Sequence, residues 1–458
     1  MEGKKMLEYF FLAVFLILSW STSQVNAINI DITDAASIKH AAFVFSHGVM
    51  SYYNGNTSGG TIGKFVSPYY WWQAGAAWGS ILDYYVYTGD ETYNKQLSEA
   101  VLANVGPSWN FMPTTETTTE GNDDQAFWGF VSMAAAERNF TNPPSDKPQW
   151  LALSQAVFDS MIARWDNSTC GGGLRWQIFE LNNGYNYKNT VSNGGLFLLA
   201  ARLARYTGDA NSTYGDWAEK VWDWVVDTNL LDLENYYVYD GMTVTDCTDI
   251  VGYQWTYNAA MFLAGSAYMY NHTEDSIWQQ RIEGLMSSLD IFFSNGVMTE
   301  VACERNNQCN TDERSFKAYF ARFMGLTAIL APFTYDRLMG YLQTTVTNGL
   351  AQSCVGGSDG VTCGTTWLVQ GWDGTWGLGQ EMSALEVVQN LLVSQVPAPY
   401  TQGAGGSSPN KTASDNGGRY GGDGGGAVVA TTGGRVAAGF LTAGILMLLV
   451  SFTWFMLQ

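Results

Sequence analysis

The chain has 458 residues, of which 46% are hydrophobic, 14% aromatic and only 14% charged, with a formal net charge of −20. Near its start Lys4 and Lys5 balance Glu2 and Glu8, and beyond Gln402 Lys411, Arg419 and Arg435 outweigh Asp415 and Asp423 by one, which leaves −21 on the body between. So acidic a body, with no basic stripe, excludes nucleic-acid binding, and its charge bears on solubility rather than on fold.

Residues 1–27 read as a secretory signal peptide. Lys4 and Lys5 precede an apolar run from Phe10 to Trp20, and Val25-Asn26-Ala27 supplies small residues for cleavage. Six Asn-X-Ser/Thr acceptors follow, at Asn56, Asn139, Asn167, Asn211, Asn271 and Asn410, and imply a glycosylated surface. Six cysteines in a secreted chain imply three disulfides, for which fifteen connectivities are formally open. Cys303/Cys309 and Cys354/Cys363 are near enough to close short loops, which leaves Cys170 and Cys247 for a long-range bridge. No CxxC spacing occurs and the histidines are His40, His47 and His272, so neither a zinc cluster nor a Ser-His or Cys-His pair is well supplied. The reading calls for no metal and no cofactor.

The body, residues 28–402, carries a repeated helical pattern. An apolar, aromatic-rich helix recurs at Tyr70–Tyr87, Asn122–Glu137, Asn193–Tyr206, Tyr257–Tyr270, Lys317–Leu330 and Leu378–Val393. The first and third end alike, in Tyr-Thr-Gly-Asp, with Gly89 and Gly208 placed as C-caps. A more amphipathic helix precedes each: Ala35–Tyr52, Thr92–Asn104, Trp150–Trp165, Gly215–Thr228, Ile277–Phe293 and Tyr335–Ala351. A helix apolar on every side must be buried on every side. Six such helices sheathed by six amphipathic ones predict an all-α fold, an (α/α)6 barrel, rather than an open solenoid.

In such a barrel the inner helices share one direction, and their N-termini gather at one end. The residues entering them are Trp71/Trp72, Asp123/Asp124, Asn193, Tyr257/Asn258, Lys317 and Trp376. Aromatic faces stack on pyranose C–H surfaces while amides and acids bond hydroxyls, so this mouth suits a sugar. Asp123 and Asp124 lie in EGNDDQAFWGF, residues 120–130. The plainer reading of acids there is helix capping, because free N–H groups and the helix dipole favour negative charge. The two roles are compatible. Neighbouring Cα atoms are ~3.8 Å apart, and from there carboxyl groups reach the roughly 5–5.5 Å separation of a retaining glycosidase more easily than the roughly 6.5–9.5 Å of an inverting one.

Beyond the body, residues 403–434 are a Gly/Ser-rich spacer too polar to fold, and 435–458 an apolar tail. Small residues, a polar spacer and a terminal tail make a GPI-attachment signal, with Asn416 and Gly424–Gly426 as candidate attachment sites. A retained transmembrane anchor is the alternative, disfavoured by the lack of a basic cluster after the apolar run.

The segments NDDQAFWGF, KNTVSNGGLFLLAARLARYTGD and YQWTYNAAMFLAG together resemble glycoside hydrolase family 76, and within it the fungal, GPI-anchored mannan endo-1,6-α-mannosidase group of cell-wall assembly. The resemblance covers residues 28–402. It implies an (α/α)6 barrel that cleaves α-1,6-mannosidic bonds with retention, with Asp123 as nucleophile and Asp124 as general acid/base. It implies that Asn122 and Gln125 orient the pair or bond substrate, and that Trp72, Trp176, Asn193, Tyr257, Trp372 and Asp373 serve as subsite residues. Trp128 is read as core. Lys317 is expected to pair with Glu381 or to meet a substrate phosphate. The donor would be α-1,6-mannan or a GPI-core glycan and the acceptor water or wall β-glucan, at the outer face of the plasma membrane or in the wall, with the anchor as the only membrane link. Other classes to weigh are a non-catalytic mannan-binding wall protein, a calcium-dependent α-1,2-mannosidase and a glucoamylase-like inverting hydrolase.

Overall fold

A computed structural model describes residues 28–209 and 212–404. The signal peptide, the spacer beyond residue 404, the apolar tail and the acceptors Asn211 and Asn410 lie outside the described residues.

Among the described residues, twelve main helices alternate between two rings in chain order. The inner ring comprises α2 (Trp71–Thr88), α4 (Asn122–Glu137), α6 (Thr190–Thr207), α8 (Thr256–Thr273), α10 (Phe316–Leu330) and α12 (Leu378–Gln389). The outer ring comprises α1 (Ala35–Met50), α3 (Asn94–Ala103), α5 (Trp150–Ala163), α7 (Thr213–Asp227), α9 (Ser276–Ser288) and α11 (Tyr335–Thr345). Each inner helix packs on the next and α12 packs back on α2, so the ring closes. Burial follows the sequence pattern: nearly every residue of α8 from Thr256 to Met269 is buried, whereas α7 buries only the stripe of Ala218, Val221, Trp222, Trp224 and Val225.

The boundaries differ from expectation where capping decides them. α6 begins at Thr190, not Asn193, because the Asn189 side chain accepts the Ser192 N–H and caps the helix there. α11 runs on through a π-helical turn, Val346–Leu350, into the single turn Ala351–Ser353. Gly89 and Gly208 both adopt left-handed backbone (φ +79° and +75°), and their N–H groups bond Tyr85 O and Ala204 O, as the shared Tyr-Thr-Gly-Asp endings require.

Buried ion pairs stitch the ring toward the inner helices' C-terminal halves. Arg322 of α10 holds Asp83 of α2 at 2.7 Å and Glu386 of α12 at 2.6 Å, across the seam where the barrel closes. Arg202 of α6 holds Glu137 of α4 at 2.7 Å, and Tyr268 of α8 donates to the same carboxylate.

Short strands, which the helical pattern does not anticipate, decorate the opposite end. β1 (Tyr187–Asn189), β4 (Gly241–Thr243) and β5 (Asp246–Val251) form an antiparallel sheet; β2 (Leu231–Asp232) pairs with β3 (Tyr237–Val238), and β6 (Phe293–Ser294) with β7 (Val297–Met298). The disulfides are Cys170–Cys247, Cys303–Cys309 and Cys354–Cys363. Of the glycan acceptors, Asn56, Asn139 and Asn167 are exposed. Asn271 is exposed too, but its amide is engaged, accepting from Arg205 and donating to Leu330 O.

Candidate active site

A cleft of about 530 Å³ opens at the end where the inner helices begin. Five of the six inner helices line it at or just before their first turn: Trp71 and Trp72 on α2, Asp123 and Asp124 on α4, Val191 on α6, Tyr257 on α8 and Phe316 on α10. Phe127, one turn into α4, Trp176 and the sheet residues Tyr187 and Asn189 complete much of the wall. Tyr257 stacks on Phe316 with centroids 3.9 Å apart, and Trp72 packs against Phe127 at 4.8 Å.

The paired aspartates occupy the first turn of α4, partly exposed to the cleft, and their surroundings differ. Trp176 Nε1 donates to Asp123 Oδ2 at 3.0 Å. Asp123 Oδ1 lies against Gly121, where a Cβ would come within 2.3 Å of it, so the turn needs glycine there. Asp124 Oδ2 accepts the Gly121 N–H at 2.8 Å, so the third residue of the helix caps its N-terminus. Burial raises both carboxyls above the usual range. The Trp176 indole and the helix-start amides oppose the rise at Asp123, whereas the neighbouring Asp123 charge adds to it at Asp124. Of the two, Asp124 is therefore the carboxyl pushed further toward its protonated form.

The flanking amides do not reach the cleft. Asn122 is buried, donating to Arg175 O and accepting from Arg164 Nε at 2.8 Å. Gln125 is buried too, donating to Asn110 O and accepting from Arg164 Nη2. One guanidinium, at the C-cap of α5, thus clamps the residues on both sides of the aspartate pair. Their role is support rather than substrate contact.

Three further expected subsite residues also lie elsewhere. Asn193 is wholly buried and ties α6 to the incoming chain through Leu174 N, Leu174 O and Asn189 O. Asp373 folds its own loop, accepting from Thr366 N, Thr375 N and Thr375 Oγ1. Trp372 sits on that loop, its Nε1 donating to Thr375 O, and neither it nor Trp376 lines the cleft. Lys317 pairs with Glu304 at 2.7 Å, donates to Thr365 O and lies 3.7 Å from the centroid of the Trp367 ring. It meets neither Glu381, which accepts the Cys363 N–H, nor the cleft. Trp128 is core, stacked between Trp71 and Phe111.

The cleft also holds acids that the sequence reading did not single out. Glu120, Asp240 and Asp312 line it with Glu116 and Glu313, so that seven carboxyls face it and, among the described residues, no Lys, Arg or His does. Glu116 is paired with Lys64. Asp240 accepts from Trp255 Nε1 at 2.8 Å and from the Tyr187 hydroxyl at 2.6 Å, and burial raises its carboxyl. Burial pushes Asp312 to about 6 against a hydrogen bond from Trp72. Glu120 is 1% exposed, and neither carboxyl oxygen has a hydrogen-bond partner. Burial pushes it to about 8, with the Arg164 charge opposing. The signal for Glu120 and Asp312 is their place just before an inner helix, α4 and α10 respectively; Asp240, between β3 and β4, carries no such signal.

A closed barrel of paired helices, with a carboxyl pair at the head of an inner helix and aromatic walls around it, is the architecture of an (α/α)6 glycoside hydrolase. The family model for glycosyl hydrolase family 76 matches residues 37–403, and the chain belongs to that family. It is 52% identical over 391 residues to mannan endo-1,6-alpha-mannosidase DCW1 of Saccharomyces cerevisiae (85% of this chain, 86% of that one) and 48% identical over 387 residues to DFG5 of the same yeast (84% of each). Among solved structures, Dfg5 from Chaetomium thermophilum, in complex with glucosamine, superposes with a TM-score of 0.81 at 42% identity and covers 85% of this chain and 97% of its own. The fold extends to the α-1,6-mannanase GH76A of Salegentibacter (TM-score 0.62, 19% identity, 77% of this chain and 98% of that one).

Proposed function

We propose that the protein is a retaining, endo-acting α-1,6-mannosidase that also transfers its glycosyl group to sugar acceptors. The observation that carries this is the unequal pair lining the cleft at the head of α4: Asp123 accepts from the Trp176 indole and Asp124 from the Gly121 N–H, and burial beside Asp123 pushes Asp124 further toward its protonated form. Asp123 attacks the anomeric carbon while Asp124 protonates the glycosidic oxygen, and the bond between them breaks. Asp124, now a carboxylate, then takes a proton from the acceptor hydroxyl, whose oxygen displaces Asp123. Water as acceptor completes hydrolysis, and a sugar hydroxyl completes transfer. Trp72, Trp176 and Tyr257 supply faces on which mannose rings stack.

The donor is α-1,6-linked mannose, from mannan or the core of a GPI glycan, and the acceptor in transfer is wall β-glucan. The relatives named mannan endo-1,6-alpha-mannosidase support the linkage. A cleft that, among the described residues, has seven carboxyls and no cationic side chain also favours a glycan bearing an amino sugar, in keeping with the glucosamine bound by the Chaetomium relative. The protein works at the outer face of the plasma membrane, held by a GPI anchor on the tail beyond residue 402, and phosphatidylinositol-specific phospholipase should release it.

The test offers an α-1,6-mannooligosaccharide with and without a β-glucan oligosaccharide and follows the product anomers by NMR. α-Configured first products, and a mannosyl–glucan adduct when both are present, are expected. A β-configured first product would sink the mechanism.

A further inference from the structure

Residues 354–377, which lead into α12, contain no helix, yet the loop is firmly built. The Cys354–Cys363 disulfide closes its first part, and Gly356 and Thr362 exchange two backbone hydrogen bonds of 3.0 Å. Asp373 uses both carboxylate oxygens to hold Thr366 and Thr375. Gly371 and Gly374, at φ +89° and +83°, turn the chain on either side of Trp372-Asp373. The Trp372 ring rests on Gly356, where a Cβ would meet the indole at 2.5 Å.

All this structure presents two indoles to solvent. Trp376 is 61% exposed and Trp372 37%, their rings 6.2 Å apart at 43°, with Leu368 and Val369 exposed on the same loop. Five other tryptophans, Trp78, Trp128, Trp150, Trp278 and Trp367, are fully buried, and Trp176, 37% exposed, belongs to the cleft wall. A fixed, exposed aromatic pair marks a contact surface.

Its place says what it contacts. The loop enters α12 at the barrel mouth, and Leu378 N donates to the Tyr69 hydroxyl at 2.9 Å. That bond ties it to the segment that continues as Tyr70, 60% exposed on the cleft lip, and Trp72 in the cleft wall. Exposed aromatic faces therefore lead from the cleft outward. The chain after α12 sits at the other end, where Tyr400 N bonds Glu137 O at the C-terminus of α4.

We propose that Trp372 and Trp376 form an outlying glycan platform, on which mannose rings of an α-1,6-mannan chain stack as the chain leaves the cleft. This rests on the reading of the cleft as an α-1,6-mannan site. Indoles suit it because their faces match the C–H surfaces of pyranoses while hydroxyl edges stay in water. The neighbouring Asp373 is turned into its own loop, engaged by Thr366 and Thr375.

The test compares the full-length protein carrying Asp123→Asn and Asp124→Asn, so that nothing turns over, with the same protein also carrying Trp372→Ala and Trp376→Ala. Binding to α-1,6-mannan is read by affinity electrophoresis and to α-1,6-mannotriose by calorimetry. The platform predicts a loss of about tenfold on mannan and an unchanged mannotriose constant, with Trp376→Phe, which keeps an aromatic face, losing less. In the active enzyme, KM for mannan should rise while kcat for mannotriose holds. Unchanged mannan binding overturns the proposal, as does an equal loss on mannotriose. A loss confined to a β-1,3-glucan or to phosphatidylcholine vesicles also overturns it. If the parent binds mannan but not mannotriose and the indole variants lose mannan, the platform stands and the cleft reading falls; a parent that binds neither overturns both.

Discussion

Trp176 Nε1 donates to Asp123 Oδ2 across 3.0 Å, joining a loop that leads into the mouth sheet to the first turn of α4. The backbone repeats the link, because Asn122 N donates to Trp176 O at 2.9 Å. The indole therefore orients the proposed nucleophile and favours its ionised form, while its face remains 37% exposed to a sugar.

Trp176→Phe keeps the ring and removes the donor. A hydrogen bond to a charged group is worth roughly 1.5–3 kcal/mol, so kcat should fall about tenfold or more. Losing a bond that stabilises the carboxylate raises Asp123 further, so the acidic limb of the pH–rate profile should move to higher pH. An unmoved limb would show that the indole does not act on Asp123.

Asp123→Asn and Asp124→Asn should both abolish transfer while the fold survives, but they should differ with an activated donor. Without Asp124, a donor with a good leaving group still loads Asp123, and azide then replaces the missing base-activated acceptor. Without Asp123 no covalent intermediate forms, and no donor rescues. Mass spectrometry should find the mannosyl group on the Asp123 peptide; finding it on Asp124 would reverse the assignment.

Arg164 clamps Asn122 and Gln125 from behind the pair. Arg164→Met keeps much of the volume and loses both bonds, so thermal stability should drop, by about 1.5–3 kcal/mol for each charged bond at most. The activity of the folded fraction should fall as well, since the aspartates lose their support. Full activity per folded molecule would confine Arg164 to stability.

Burial raises Glu120, Glu300 and Glu381 to about 8 in the folded chain. In the unfolded chain each titrates near ~4.3. Between these values the native state binds more protons, so stability is full below the lower value and is lost as pH rises through the higher. The midpoint of thermal unfolding should therefore decline from pH 5 to pH 8. Glu120→Gln, which cannot ionise, should flatten that decline; an unchanged slope would show that Glu120 does not titrate there.

How far the sequence reaches is visible helix by helix. The period of 3.6 and the all-round apolar character of the inner helices are local properties, and α4 runs from Asn122 to Glu137 as its own residues imply. Residues that act on their own helix were legible in the same way: Asp123 and Asp124 at the head of α4, Trp72 at that of α2, Tyr257 at that of α8. Asn193 misled because it lies inside the first turn of α6, where its amide satisfies the backbone of a separate loop.

By itself the sequence determined the ring, the cysteine loops and the acid pair, because periodicity, short separation and adjacency are written along the chain. Only the tertiary structure decided which polar residues face the cleft. Asn122 and Gln125 turn inward because Arg164, some forty residues away in sequence, needs their oxygens. Asp240 and Asp312 join the site because closure of the barrel brings α8 and α10 round to α4. Lys317 is withdrawn because Glu304 neutralises it within the wall. A side chain's direction depends on partners that only folding brings near, and no spacing in the sequence records them.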